Sequence, residues 1–156
     1  MKYGSHKKLI TNVSKQLLDE ISAFLKLYPE YVMVPIPLSK KSLLDRGFNQ
    51  SEELAMEISK LTGATTMHLL KKIKETRKQA QLSKYEREHN VKDCFVFVGN
   101  IVPEKILLID DIATTLSTLN ECAKVLRNAG VKEVSAFVLA RAPLQGKNYD
   151  SLYRRF

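Results

Sequence analysis

Short apolar runs alternate with helical patterns along most of this chain, and this alternation restricts the fold more than any other feature. Apolar runs that predict buried strands lie at Tyr31–Val34, Phe95–Val98, Lys105–Ile109 and Val134–Ala140, with a weaker one near Met67–Leu70. Helical spacing covers residues 11–28, the stretch between a cap at Asn49 or Ser51 and Gly63, and Leu119–Leu126 before Gly130. Strands that alternate with helices predict an α/β fold with a mainly parallel sheet flanked by helices.

The length of the chain and its apolar runs limit the class of protein. Its 156 residues fit one domain, so we predict a single domain over residues 1–156. No apolar run approaches the roughly 18 residues of a membrane helix. The residues after Met1 do not resemble a secretory signal. We therefore expect a cytoplasmic protein without membrane insertion.

Two isolated cysteines, Cys94 and Cys122, lie in apolar surroundings. Small buried thiols are the better interpretation in a reducing compartment, although the sequence leaves a disulfide open. Neither cysteine has a second Cys or a His at metal-ligand spacing, so we predict no protein metal site within this chain.

Positive charge is concentrated in the middle of the chain. The formal net charge is +8, and residues 71–92 hold eight basic residues against three acidic ones. The basic residues are Lys71, Lys72, Lys74, Arg77, Lys78, Lys84, Arg87 and Lys92. A positive field of this kind attracts phosphorylated small molecules or nucleic acid, while a solvated surface loop is the alternative.

The segment most indicative of chemistry follows the Lys105–Ile109 strand. It begins with Asp110 and Asp111 and continues through Ile112 to a turn rich in hydroxyl groups. The turn residues are Ala113, Thr114, Thr115, Leu116, Ser117 and Thr118. Adjacent carboxylates can accept hydrogen bonds from a ribose diol, and the start of the following helix favours a phosphate. The alternative is that Ser117 or Thr118 only caps the helix and that the acids are solvated.

The run Ile106–Thr118 resembles the phosphoribosyl-pyrophosphate (PRPP) loop of type I phosphoribosyltransferases. Two further stretches resemble the ComF family, which is associated with DNA uptake in naturally competent bacteria. One is Val34–Ser39 followed by Arg46–Gln50. The other comprises Thr76, Gln81, Leu82, Ser83, Arg87 and Asn90. The resemblance extends from the start of the chain to about Ala142 and implies the type I phosphoribosyltransferase fold.

The resemblance implies transfer of a phosphoribosyl group from PRPP, with Asp110 and Asp111 as the catalytic acids that hold the ribose. The turn at 113–118 would bind the 5-phosphate. Lys40, Lys41, Arg46 and Gly47 would lie at the pyrophosphate, with a solvated loop as the alternative for residues 39–49. Gln81 and Arg87 would belong to a mobile hood over the site. A magnesium ion would be held mainly by PRPP itself.

The sequence departs from the family pattern in two places. Leu116 stands where the family has glycine, and a leucine at positive φ would cost on the order of 1–2 kcal/mol. The cysteine-rich zinc module that usually precedes this domain has no counterpart in this sequence, which leaves open a short member or a piece of a longer chain.

The acceptor substrate is not indicated by any motif. The alternative function is a non-catalytic accessory protein of DNA uptake that binds PRPP, a nucleotide or single-stranded DNA and contacts the competence machinery. A homodimer is left open. A salvage enzyme with an unrelated acceptor is a third alternative.

Overall fold

The computed structural model describes residues 15–75, 90–113, 116–141 and 152–155. In this part of the chain the helices are α1 (Lys15–Leu27), α2 (Lys40–Arg46), α3 (Gln50–Thr62) and α4 (Ser117–Asn128). The strands are β1 (Tyr31–Pro35), β2 (Leu70–Lys72), β3 (Phe95–Phe97), β4 (Lys105–Ala113), β5 (Glu133–Arg141) and β6 (Leu152–Arg155).

The main sheet has the strand order β1-β4-β5-β6. The first three strands run parallel, and β6 pairs with β5 in the antiparallel direction. A separate antiparallel pair is formed by β2 and β3. The predicted α/β class with a parallel sheet is confirmed, and the arrangement is consistent with the type I phosphoribosyltransferase fold. None of the helices in the described ranges is long and apolar enough to cross a membrane.

The central strand β4 has apolar side chains on both faces, as expected for a strand covered on both sides. Ile106 and Leu108 belong to one buried cluster, which includes residues of α4, β2 and β3. Leu107 and Ile109 belong to a second cluster, with residues of α1 and α3. Each pair repeats every second residue because successive strand side chains point to opposite faces. Layers on both faces of the sheet therefore exclude water from Ile106 to Ile109, whereas Ile112 near the carboxyl end of β4 is exposed.

Two expectations from the sequence need correction. The stretch between Ser39 and Asn49 is not a loop, because most of it forms the short helix α2. The strand predicted to end at Ile109 continues to Ala113, since β5 goes on pairing with it beyond that point. The sequence also did not predict β6, which lies in a polar and aromatic stretch without clear alternation.

Candidate functional site

The candidate site lies where β4 extends beyond the end of the neighbouring strand β1. Pro35 pairs with Ile109 at the end of β1, and the Ile36 amide then donates to the Ile109 carbonyl at 2.9 Å. Asp110 therefore has β5 on one side, where it pairs with Val138, and the end of β1 on the other. Ligands of open parallel sheets bind at this carboxyl edge.

Asp110 is a buried carboxyl with defined hydrogen-bond donors. It is 8% exposed, and Ser51 of α3 is 3% exposed. The Ser51 hydroxyl donates to Asp110 Oδ1 at 3.0 Å, and the Asp111 backbone amide donates to the same oxygen at 3.0 Å. Both donors therefore use Oδ1, and one of them comes from a helix 59 residues earlier in the chain.

The surroundings of Asp110 favour its protonated form. Burial is the main cause, the nearby Asp111 carboxylate is the second, and together they raise the pKa of Asp110 to about 8. The hydrogen bond from Ser51 acts in the opposite direction because it stabilises the ionised carboxylate. A ligand that donates hydrogen bonds to this carboxylate would also favour ionisation. Carboxyl groups whose pKa is shifted as strongly as this are common at functional sites.

The rest of the predicted PRPP loop follows directly. Asp111 is half-buried, and Ala113 is the last residue of β4. Thr114 and Thr115 lie outside the described residues. Helix α4 then begins at Ser117, which is followed by Thr118.

Leu116 is the residue before α4, and it does not have the strained backbone that a positive φ would impose. Its φ is −79° and its ψ is 6°, and no side-chain hydrogen bond caps the helix at this position. Its side chain packs, partly buried, against the cluster that includes residues of α4 and β3. The cost expected for a leucine at positive φ is therefore absent from this structure. Ser117 and Thr118 are the first two residues of the helix.

Helix α2 places Lys40 in a basic cleft. Ser39 is the N-cap of α2, and its hydroxyl oxygen accepts a hydrogen bond from the Ser42 amide at 3.1 Å. Ser39 and Lys40 face the segment around β2 across an open cleft of about 300 Å³. The residues that line the cleft are Ser39, Lys40, Lys71, Lys72, Ile73, Lys74 and Glu75. Four lysines against one glutamate make the cleft strongly positive.

The other predicted pyrophosphate residues lie on the same helix but outside that lining. Lys41 is exposed on the first turn of α2. The Arg46 guanidinium donates to Gln50 Oε1 at 3.3 Å. Gly47 ends α2 in the left-handed conformation, with φ 82°, and its amide donates to the Leu43 carbonyl at 2.7 Å. The structure thus brings Lys40 together with lysines of β2, whereas Arg46 contacts the start of α3.

Lys72 is the half-buried member of the cleft. Burial lowers the pKa of its ammonium group, and the negative charge of Glu75 partly offsets this effect. The nearby Cys94 and Cys122 side chains act on this pKa in the same direction as Glu75. An anion in the cleft would favour the charged form of this lysine.

Two sequence expectations about side chains have different outcomes. Cys94 and Cys122 are buried and free, so the interpretation as buried thiols is confirmed. Burial raises the pKa of the Cys122 thiol, and the Asp110 carboxylate adds to this effect. The predicted hood residues Gln81 and Arg87 lie outside the described residues.

Sequence reasoning missed Ser51 as a member of the site. Its separation from Asp110 is 59 residues, and one serine near a predicted helix start carries no signal of a long-range partner. The lysines of β2 were noticed only as part of a basic segment. Their spacing could not indicate that they face Lys40, because that contact depends on how β2 packs beside α2.

Comparison with curated proteins supports the resemblance in the sequence. The chain is 41% identical to competence protein ComFC of Streptococcus pneumoniae over 121 residues, which are 78% of this chain and 53% of the relative. It is 37% identical to competence protein F of Haemophilus influenzae over 118 residues, 73% of this chain and 51% of that protein. DNA utilization protein YhgH of Salmonella typhimurium is 28% identical over 147 residues, 90% of this chain and 64% of that protein.

The α/β fold with its parallel sheet is consistent with a phosphoribosyltransferase-like class of domain. The chain belongs to the ComF family. It spans about half the length of the ComFC and competence protein F relatives. No protein-family model and no solved structure matches the chain.

Proposed function

We propose that this chain is the phosphoribosyltransferase-like domain of a ComF-type protein of DNA uptake, and that it binds PRPP together with magnesium. The observation that carries the proposal is the buried Asp110 carboxyl at the end of β4. Without a ligand, its burial beside the Asp111 carboxylate is unfavourable. A ribose diol would supply the hydrogen-bond donors that such a pair requires.

The flanking elements would bind the two phosphate ends of PRPP. Backbone amides at the start of α4 would bind the 5-phosphate, together with the hydroxyl groups of Ser117 and Thr118. The basic cleft beside α2 would take the pyrophosphate, with Lys40 on one side and Lys71, Lys72 and Lys74 on the other. Positive charge near a departing pyrophosphate stabilises the negative charge that develops on it.

The donor set fits a magnesium ion that is held mainly by its ligand. Asp110 is buried and already hydrogen-bonded through Oδ1, so Asp111 is the more accessible of the two carboxylates. Magnesium commonly keeps water and substrate phosphates as ligands beside one or two carboxylates. When bound, the ion would neutralise charge on the pyrophosphate. The residues of this chain would hold the ribose, the 5-phosphate and the pyrophosphate in one orientation.

In the reaction, positive charge develops at C1 of the ribose as the bond to pyrophosphate breaks. The Asp110 and Asp111 carboxylates would fix the ring through its hydroxyls and favour that charge. An acceptor nucleophile would then form the new bond at C1. The structure contains no feature in its described ranges that selects this acceptor.

The second candidate is a non-catalytic module that binds nucleic acid, and the basic cleft is the observation that favours it. Phosphate backbones bind to grooves lined by lysine. The similarity to relatives named for competence and for DNA utilization supports a role in DNA handling. The cleft contains no aromatic side chain for base stacking among its lining residues, which favours a small phosphorylated ligand.

Calorimetric titration of PRPP and magnesium into the protein tests the proposal. We expect micromolar affinity that is lost in the double variant Asp110→Asn, Asp111→Asn. The single variant Ser59→Ala, on α3 but hydrogen-bonded to the Ala64 carbonyl, is the control and should bind normally. Absence of heat at millimolar PRPP, repeated at a second temperature with folded protein, would exclude the PRPP proposal and favour the nucleic-acid module.

A further inference from the structure

A chain of hydrogen bonds connects the end of β1 to Asp110 through the start of α3. The Asn49 amide nitrogen donates to the Ile36 carbonyl at 3.0 Å. The Asn49 side-chain oxygen accepts from the Ser51 backbone amide at 3.1 Å, which caps α3. The Ser51 hydroxyl then donates to Asp110 Oδ1 at 3.0 Å. Each link joins a different pair of groups, so the start of α3 is fixed relative to both strands.

Ser51 has one hydroxyl proton, and the structure directs it to Asp110. Its backbone amide is already used by Asn49, and its side chain is 3% exposed. A buried serine at the start of a helix usually satisfies itself within the first turn. Here that capping role belongs to Asn49, which leaves the Ser51 hydroxyl available for a partner 59 residues away.

The two donors on Asp110 Oδ1 come from different directions in the chain. The Asp111 amide is part of β4, and the Ser51 hydroxyl comes from α3. The Asp111 amide alone holds one oxygen but restricts rotation of the carboxyl group about the Cβ–Cγ bond less than two donors do. The second donor, from a separate element, restricts that rotation.

We propose that Ser51 is a positioning residue that orients the Asp110 carboxyl and keeps it able to accept hydrogen bonds from the ligand's ribose hydroxyls. The part of this inference that concerns the ligand rests on the proposed PRPP function. The part that concerns Asp110 does not. Ser51 itself is not expected to contact the ligand, because its hydroxyl proton is used by Asp110.

The experiment compares Ser51→Ala with Ser59→Ala. Both variants remove one hydroxyl from a serine of α3, and Ser59 donates only to a local carbonyl at the far end of that helix. The first measurement is the titration of the Asp110 carboxyl carbon by NMR without ligand. Loss of a hydrogen bond to the ionised form should move the pKa of Asp110 upward by about one unit in Ser51→Ala. Ser59→Ala should titrate like the wild type.

The second measurement is the affinity for PRPP with magnesium at pH 7. We expect Ser51→Ala to bind about tenfold more weakly, with the difference narrowing at pH 9, where Asp110 ionises in both proteins. If the role of Ser51 were purely structural, the loss of PRPP affinity in Ser51→Ala would not depend on pH. An unchanged Asp110 titration in Ser51→Ala overturns the proposal, and so does an affinity within twofold of the Ser59→Ala control.

Failure of the proposed function has a different signature. If the wild type does not bind PRPP but the Asp110 titration shifts in Ser51→Ala alone, the PRPP function is wrong and the positioning role stands. If PRPP binds and neither measurement distinguishes the two serine variants, the function stands and the positioning role is wrong.

Discussion

At the scale of single residues, Asp110 is where the fold and the proposed function make opposite demands. Burial beside Asp111 makes the ionised carboxyl unfavourable in the folded protein. In the unfolded chain the same carboxyl is solvated and ionises near its ordinary pKa. Folding therefore costs more at neutral pH than in mild acid because of this one group. Residues that act on a ligand are often retained at such a cost in stability.

The variant Asp110→Asn should be more stable than the wild type at pH 8, by at least ~2 kcal/mol. The folded-state pKa of Asp110 is raised, so its contribution is fully favourable only below about pH 4 and is lost as the pH rises toward 8. Asparagine keeps an oxygen for the donors from Ser51 and Asp111. Urea unfolding at pH 4.5 and pH 8 measures the difference. An equal advantage at both pH values would contradict the assigned cause.

Leu116 offers a second test at this scale. Its φ is negative and its side chain packs against the core, so glycine at this position should bring no relief of strain. We expect Leu116→Gly to lower the free energy of unfolding by about 2 kcal/mol, mainly through lost apolar contact. Leu116→Ala controls for that loss. Calorimetry should give PRPP affinities within threefold for the two variants; tighter binding by the glycine variant alone would mean that the ligand-bound loop requires positive φ.

At the scale of elements, the sequence predicted those whose signals are local. Gly63 ends α3 as predicted, and Asn49 is the N-cap of the two candidates, Asn49 and Ser51, that the sequence offered, because caps depend on neighbouring residues. Helix α2 was missed because it spans seven residues and buries none of them, so it has no apolar periodicity. The acidic end of β4 was predicted from its position after an apolar strand. The contact with Ser51 depends on the packing of α3 beside β4, which no local pattern encodes.

The two glycine caps should respond differently to alanine. Gly47 and Gly63 have φ of 82° and 74°, and a Cβ would meet no atom within 4 Å at either position, so the cost is in the backbone, about 1–2 kcal/mol. Helix α3 contributes Leu54 and Ile58 to the core, so Gly63→Ala should lower global stability by that amount. Helix α2 buries no residue and can open alone, so Gly47→Ala should mainly accelerate amide exchange within α2. Equal losses in urea unfolding would contradict this.

At the scale of the whole molecule, the net charge of +8 is divided between the basic cleft and the rest of the surface. General positive charge would attract any polyanion weakly, in proportion to its charge. The cleft differs because Lys40, Lys71, Lys72 and Lys74 line one volume. The proposed enzyme and the nucleic-acid module therefore depend on the same lysines, but they differ in how many phosphates are contacted.

Reversing charge at the exposed lysines of the cleft separates these two functions. The double variant Lys71→Glu, Lys74→Glu should bind PRPP with magnesium at least tenfold more weakly in low salt. Lys60→Glu is the control, since Lys60 lies in the last turn of α3, pairs with Glu57 and is not in the cleft lining.

The second measurement is the salt dependence of binding to single-stranded DNA. Each lost phosphate contact should reduce the slope of log affinity against log salt concentration by about 0.7. A double variant that loses about 1.4 of that slope while PRPP binding stays normal would assign the cleft to nucleic acid. Loss of PRPP binding with an unchanged DNA slope would assign it to the pyrophosphate end of PRPP, because a compact ligand requires only the charges inside the cleft.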